Sequence, residues 1–487
     1  MLSVYNGLPV SLCIQIFSEE FNDNLAGTNL FFRAIVLILY RREQDGWPGK
    51  GLSSIALIHW RSEMKLIQAR IRGIGALKES RWFELSPHLN LFQFPQQQYG
   101  GNFLRILQTI NPPYAIETVK PFADFPAYIK QDGQTKRVHP SKRTVALAVF
   151  SATPALVKEL ATISPVLYET DRIEVGRRLD YSHWINFVEL AASTRWSEIS
   201  DNIRILLDEA QRFAPERRHP LADIIRGLKP ADRIKDTLQG LLAHWLDDLP
   251  PELWHSSRQR IETTRAAVFR ADHFQSARDN IRSRLPLLVV LGGCPSSVKK
   301  PGRQTAAEAE QDFASHQHLV HLISEHSKAI GNTSAAAARA FFDELNDQLA
   351  AWRFSSMRLR CDRSATGVLR LLNDQPVQKA TDGPLLMLRQ LQANAGLAIA
   401  FSRVVDRAEP MLLFDAPERH LPTTLQDELV DFIIKISKTS QCLYSLAAVD
   451  IFPKDLAGRR YNGESLAMKE PDEEQRKADG RTELNVV

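Results

Sequence analysis

Residues 410–429 read PMLLFDAPERHLPTTLQDEL: an apolar run, Met411 to Phe414, ends on Asp415, a short loop follows, and a polar helix-forming stretch comes next. An apolar run that short and that continuous predicts a buried strand. A strand that delivers a carboxylate at its C-terminal end can present it to a hard cation such as magnesium. The residue after that acid is Ala416, which has no titratable group.

Working outward, the chain of 487 residues is 44% hydrophobic and 24% charged, which predicts a globular protein of two or three structural units. Its 61 basic and 57 acidic residues nearly balance, and the pI is about 8.8. Nucleic acid is therefore permitted as a partner but not demanded by net charge. Cys13, Cys294, Cys361 and Cys442 form no CxxC pair, which fits free thiols in a reducing compartment, read here as the cytoplasm. No basic leader precedes an apolar run, and no stretch approaches the roughly 18 apolar residues of a membrane span.

Residues 1–17 read as a strand, and FNDNLAGTNLFFRAIVLILYRR then runs from an Asn- and Gly-rich loop into an apolar helix. Strand, small-residue loop and helix is the context that a phosphate-binding loop requires. SSIALIHW reads as a further strand, SEMKLIQARIRGIGAL as a helix or a strand pair, and Gln96, Gln97 and Gln98 fall between a strand-like run and a helix. From about 145 to 285 the pattern reads as helical, starting with VALAVFSATPALVKELATIS, and no heptad is sustained. Its basic residues Arg177, Arg178, Arg217, Arg218, Lys229, Arg233 and Lys235 form either a solvated face or a DNA-contacting surface. The run LPLLVVLGGCPSSVKKPG is a second candidate phosphate loop, but Val298, Lys300 and Pro301 make a basic surface turn the better reading. His318, His321 and Glu325 share a helix face at a spacing that could offer ligands to zinc, yet one helix rarely completes a site. Residues 305–353 read as helices and FSSMRLRCDRSATGVLRLLNDQPVQ as two strands.

These segments together resemble the ATPase heads of the SMC, Rad50 and RecF group within the ABC superfamily. The resemblance rests on Asp415-Ala416-Pro417-Glu418, on His420-Leu421-Pro422, and on Asn24, Gly27 and Phe31-Phe32-Arg33-Ala34-Ile35. It implies an α/β P-loop NTPase head made from both chain ends. Residues 1–140 would form an N-terminal lobe, 141–340 a compact helical insertion, 341–467 a C-terminal lobe and 468–487 a charged tail. It also implies a phosphate loop at Asn24, Gly27, Thr28 and Asn29, a metal-sensing glutamine at Gln96, and a signature-like loop at Thr381, Asp382 and Gly383. Asp415 would then be the Walker B acid and magnesium ligand, with ATP as the nucleotide.

The departures from that pattern carry chemistry. Thr28 stands for the phosphate-binding lysine, Asn29 for the magnesium-binding hydroxyl, Ala416 for the glutamate, and Ala447 or Ala448 for the switch histidine. Loss of charge stabilisation and of water activation each costs on the order of 10²-fold in rate. The expectation is a pseudo-ATPase subunit that pairs with another ATPase head or with itself, in a complex acting on DNA, with no membrane. Two alternatives stand beside it. One is a slow ATPase served by Lys50 or Lys299; the other is a protein scaffold that binds neither nucleotide nor DNA.

Overall fold

The computed structural model describes residues 64–74, 77–94, 97–122, 128–131, 134–137, 139–164, 170–213, 221–292, 314–352, 359–363, 369–373, 383–446, 451–454 and 458–462. The strand and loop expected over residues 1–35, SSIALIHW, Lys50, Gln96, Arg217 and Arg218, Lys299, Thr381 and Asp382, Ala447 and Ala448, and the tail all lie outside them.

From the amino end come strands β1 (Met64–Ile74), β2 (Leu77–Glu79), β3 (Phe83–Glu84) and β4 (Leu89–Gln93), then helix α1 (Gln97–Gln108). A short helix α2 (Ile116–Val119) and a hairpin of β5 (Tyr128–Gln131) with β6 (Gln134–Arg137) follow. Next are β7 (Thr144–Ala152), α3 (Pro154–Ile163), β8 (Arg172–Arg178) and β9 (His183–Phe187). Six helices run from there: α4 (Trp196–Phe213), α5 (Leu221–Arg226), α6 (Asp236–Asp247), α7 (Pro251–Ser256), α8 (Arg258–Val268) and α9 (Arg270–Arg284). The chain then forms β10 (Leu288–Gly292), α10 (Ala314–Thr333), α11 (Ala335–Ala350), and the hairpin of β11 (Leu359–Arg363) with β12 (Leu369–Asn373). It closes with α12 (Gly383–Val404), β13 (Met411–Asp415), α13 (Thr423–Ile436), β14 (Cys442–Leu446) and β15 (Arg459–Asn462).

Two sheets organise the fold. One is parallel, in the order β10, β13, β14, β4, β15. Its strands β10, β13 and β14 are apolar and buried over most of their length because both faces are covered, as parallel sheets require. Alternation then assigns the faces: Leu413, Leu443, Leu288 and Phe92 pack in one core, while Leu412, Phe414, Tyr444, Leu91 and Val289 pack in the other. The second sheet is antiparallel, in the order β2, β1, β7, β8, β9, with β3 paired to β1. Helix α1 touches β1 and β7 on one side and β10, β13 and β14 on the other, so it is sandwiched between the sheets. Helices α10 to α13 build the core on the opposite face of the parallel sheet.

The helical reading of 145–285 is corrected at its start. Thr144–Ala152 is a strand because TVALAVFSA is β-branched and apolar and is buried along nearly its whole length. Helix α3 begins only where the Thr153 hydroxyl accepts from the Leu156 amide and Pro154 takes the first helical position. The strands β8 and β9 continue that sheet, so the segment 141–340 carries strands at both ends of its helices. The helices α4 to α8 have a core of their own, including Trp196, Ile203, Leu242, Trp245 and Ile261. SEMKLIQARIRGIGAL resolves as a strand pair, β1 with β2, rather than a helix.

Candidate functional site

The C-terminal ends of the parallel strands line up in register. Gly292, Asp415, Ser445, Phe92 and Tyr461 form one row across five strands. From β4 the chain passes into α1, which crosses towards β13 and β10; from β14 it passes instead to β15 on the far side of β4. The connections thus diverge between β4 and β14. In an open α/β sheet, the crevice outside the strand ends at such a divergence is where ligands bind.

Asp415 ends β13, the strand beside β14 at that divergence. Helix α1 closes over it: a Cβ added at Gly101 would lie 2.6 Å from Asp415 Oδ2 and 3.2 Å from Cγ. Only glycine lets the helix approach so near. Asp415 is 6% exposed, and burial raises its pKa against the opposing pull of Arg105, Arg419 and His420. The carboxyl therefore holds its proton more tightly when folded than when unfolded, and its ionised form opposes folding at neutral pH. That opposition fades as pH falls through the folded value and the native carboxyl becomes neutral. Asp415→Asn is accordingly expected to raise the melting temperature at pH 7, with the gain shrinking as pH falls towards 3.8, the ordinary value of the group. Thermal melts of both proteins across that range check it, and an Asn variant less stable at pH 7 would count against the burial reading.

After Asp415 the backbone turns sharply. Ala416 has φ of +41° and ψ of 52°, its amide donates to Ser445 O at 3.1 Å, and its methyl is buried. Position 416 offers no base. The next acid, Glu418, is occupied elsewhere, because it is 4% exposed and accepts from the Tyr444 hydroxyl at 2.5 Å. Burial and Glu418 push the Tyr444 hydroxyl well above its usual pKa. Gln426 Nε2 holds the same turn by donating to the carbonyls of Glu418 and Leu421, at 3.3 and 3.1 Å. On the other flank Gly292, at φ of +79°, lets the end of β10 abut Pro417.

The strand, loop and helix that adjoin Asp415 are β4 and α1, residues 89–108. Laid over the template G-x-x-x-x-G-K-[ST], residues 95–102 read Pro95-Gln96-Gln97-Gln98-Tyr99-Gly100-Gly101-Asn102. The lysine position is Gly101, and Asn102, at the hydroxyl position, is exposed. Reading outward from residues 22–35 overlooked this segment. Its signal was the pair Gly100-Gly101 between an apolar run and FLRIL.

Magnesium takes near-octahedral oxygen ligands at about 2.0–2.1 Å and keeps several waters. Asp415 faces a helix instead, with Glu418 engaged by Tyr444, and among the described residues no cluster of three or more His, Cys, Asp or Glu is placed to hold an ion. These residues fit a magnesium ion poorly. The zinc spacing on α10 is likewise occupied: His318 lies against Tyr114 with ring centroids 4.8 Å apart and the rings tilted by 47°, and Glu325 pairs with Lys328 at 2.8 Å. Gly383 is the first residue of helix α12, and Thr381 and Asp382 lie outside the described residues. Arg177 is neither solvated nor free to touch DNA: it is 8% exposed, and its guanidinium donates to backbone carbonyls.

No family model matches the chain, and no curated protein matches it. Among solved structures it is similar to an SMC head bound to the C-terminal winged-helix domain of ScpA, at 11% identity and a TM-score of 0.35, covering 78% of this chain and 90% of that one. It is also similar to the SMC head domain from Thermotoga maritima, at 8% identity and a TM-score of 0.28, covering 78% and 89%. The recombination mediator protein RecF with ATPrS matches at 10% identity and a TM-score of 0.31, covering 83% and 97%. Likeness this loose leaves a mixed α/β protein whose site is defined by its own geometry. Among the described residues, no helix is long and apolar enough to cross a membrane.

Proposed function

We propose that this chain is an ATPase-fold subunit of the SMC, Rad50 and RecF kind that does not hydrolyse ATP, and that it works beside another ATPase head or a second copy in a complex acting on DNA. One observation carries the loss of catalysis: Gly101, at the lysine position of the template laid over residues 95–102, lies in helix α1 and packs directly on the Asp415 carboxylate. In this reading the start of α1 lies where a nucleotide's phosphates would approach Asp415, while the phosphate loop expected at Asn24, Gly27, Thr28 and Asn29 lies outside the described residues. A lysine would supply positive charge where the terminal phosphates sit, and the glycine supplies none. Neither the buried methyl of Ala416 nor Glu418, engaged by Tyr444, is available to orient water. The helical insertion is then the part of the chain with its own core, α4 to α8, and the lobes are built from the strands on either side. Repair, plasmid or phage defence, and chromosome maintenance are the settings this reading suggests, in a reducing cytoplasm that suits the free, buried Cys442.

The test is phosphate release from ATP and magnesium by the purified full chain. Turnover is expected to stay at the level of buffer, and Asp415→Ala is expected to change nothing. Turnover that Asp415→Ala abolishes would overturn the proposal in favour of a slow ATPase.

A further inference from the structure

The helical insertion carries a like-charge pair that the fold brings together and does not neutralise. Residues 194–197 and 230–234 run antiparallel: Ile234 N donates to Thr194 O at 2.9 Å, Trp196 N to Asp232 O at 2.7 Å and Ser197 N to Pro230 O at 3.1 Å. At the centre of this ladder Arg195 and Arg233 are directly opposed as a β-bridge. Both are exposed, as are Lys229 and Lys235 on the same short segment. Like charges directly opposite one another are destabilising. The nearby carboxylates are turned to other work. Glu198 accepts from the Arg195 amide at 2.9 Å and pairs with Arg270 at 2.8 Å, while Asp232 accepts from the Lys229 amide at 2.7 Å. None of the four cationic side chains forms an ion pair with a described residue.

A planar guanidinium forks onto phosphate oxygens, and two of them on neighbouring strands present a pair of such forks to a repeating polyanion. We propose that Arg195 and Arg233, flanked by Lys229 and Lys235, form a surface that binds the phosphate backbone of duplex DNA without reading its sequence. This deepens, and rests on, the reading of the chain as a subunit acting on DNA. Sequence alone placed Lys229, Arg233 and Lys235 within one segment. Arg195, more than 30 positions earlier, joins them only through the backbone ladder.

The experiment is fluorescence anisotropy of a labelled 30-base-pair duplex titrated with the full chain between 50 and 200 mM salt, under the conditions of about those values in which counterion release is read. The double variant R195A/R233A is expected to bind about tenfold more weakly and to flatten the salt dependence by roughly 1.8 in log K against log salt, at about 0.9 per lost phosphate contact. The R195K/R233K variant, which keeps both charges, is expected to retain most of that slope. R258A, whose partner Glu262 is 2.8 Å away, is the control and should change neither quantity. If the wild type binds duplex and R195A/R233A keeps its slope, or if R258A lowers the slope as much, the surface is overturned while the DNA reading stands. If the wild type shows no salt-dependent binding, both fall. Circular dichroism of each variant shows that the helices are intact.

Discussion

Arg177→Ala is expected to lower the free energy of unfolding by about 3–5 kcal/mol, the scale set by stranding the partners of a buried charged hydrogen-bonding group. Arg177 lies on β8 within the antiparallel sheet, yet its guanidinium leaves that sheet. Its Nε donates to Thr109 O at 2.7 Å, Nη2 to Ile110 O at 3.2 Å and Nη1 to Tyr181 O at 2.7 Å. Thr109 and Ile110 follow the last turn of α1, where helix carbonyls lack intrahelical partners. Tyr181 sits in the β8–β9 turn at φ of +68°. One side chain therefore ties the sandwiched helix to the antiparallel sheet and to the hairpin beside it. Burial pushes its pKa down to about 10, still far above neutrality, so it stays charged and all its donors remain available. Alanine would leave three carbonyls without that donor and open a cavity between the layers. Lysine, a point charge in place of a planar fork, should recover only part of the loss. Urea unfolding followed by tryptophan fluorescence measures both variants. A loss below about 1 kcal/mol for Arg177→Ala would place the residue on a solvated surface after all.

Gly101→Val is expected to cost about 2–3 kcal/mol, the range for forcing extra bulk into a packed interface. Its Cβ would fall 2.6 Å from Asp415 Oδ2 and 3.2 Å from both Oδ1 and Cγ, so the buried carboxyl, the helix or the strand end must move. None can do so freely. Helix α1 is held on both faces by sheets, and Asp415 is fixed by its register with Gly292 and Ser445. The cause can be isolated by a double-mutant cycle, because Asp415→Ala removes the atoms that the new side chain would strike. Most of the cost of Gly101→Val should disappear in that background, as a coupling energy of about 1–2 kcal/mol. Equal costs in the two backgrounds would mean that α1 does not close over Asp415. A lysine at 101 would meet the same contact, because any side chain there begins with that Cβ.

Part of the parallel sheet was legible along the chain. Met411–Phe414 is a continuous apolar run that ends on Asp415 ahead of a polar loop and a helix, and a buried parallel strand needs nothing beyond that. The helices over 314–350 and the hairpin at 359–373 also followed from periodicity. Thr144–Ala152 did not, because a short apolar run satisfies a buried strand and a buried helix equally well and only its partners in the sheet decide between them.

The amino-acid sequence by itself determined that an acid ends an apolar strand at 415, that no second acid follows it, and that the motif residues departing from the ATPase pattern are spread along the chain. Tertiary structure alone decided what packs on that acid among the described residues. Gly101 does so because α1 packs between two sheets, a placement set by layers whose strands lie hundreds of residues apart. It decided likewise that Arg177 is a buried tie while Arg195 and Arg233 stand together on the surface. Local pattern records which side chains are apolar or charged. Whether a charge meets water, a carbonyl or another charge depends on chain segments that come together only when the core is formed.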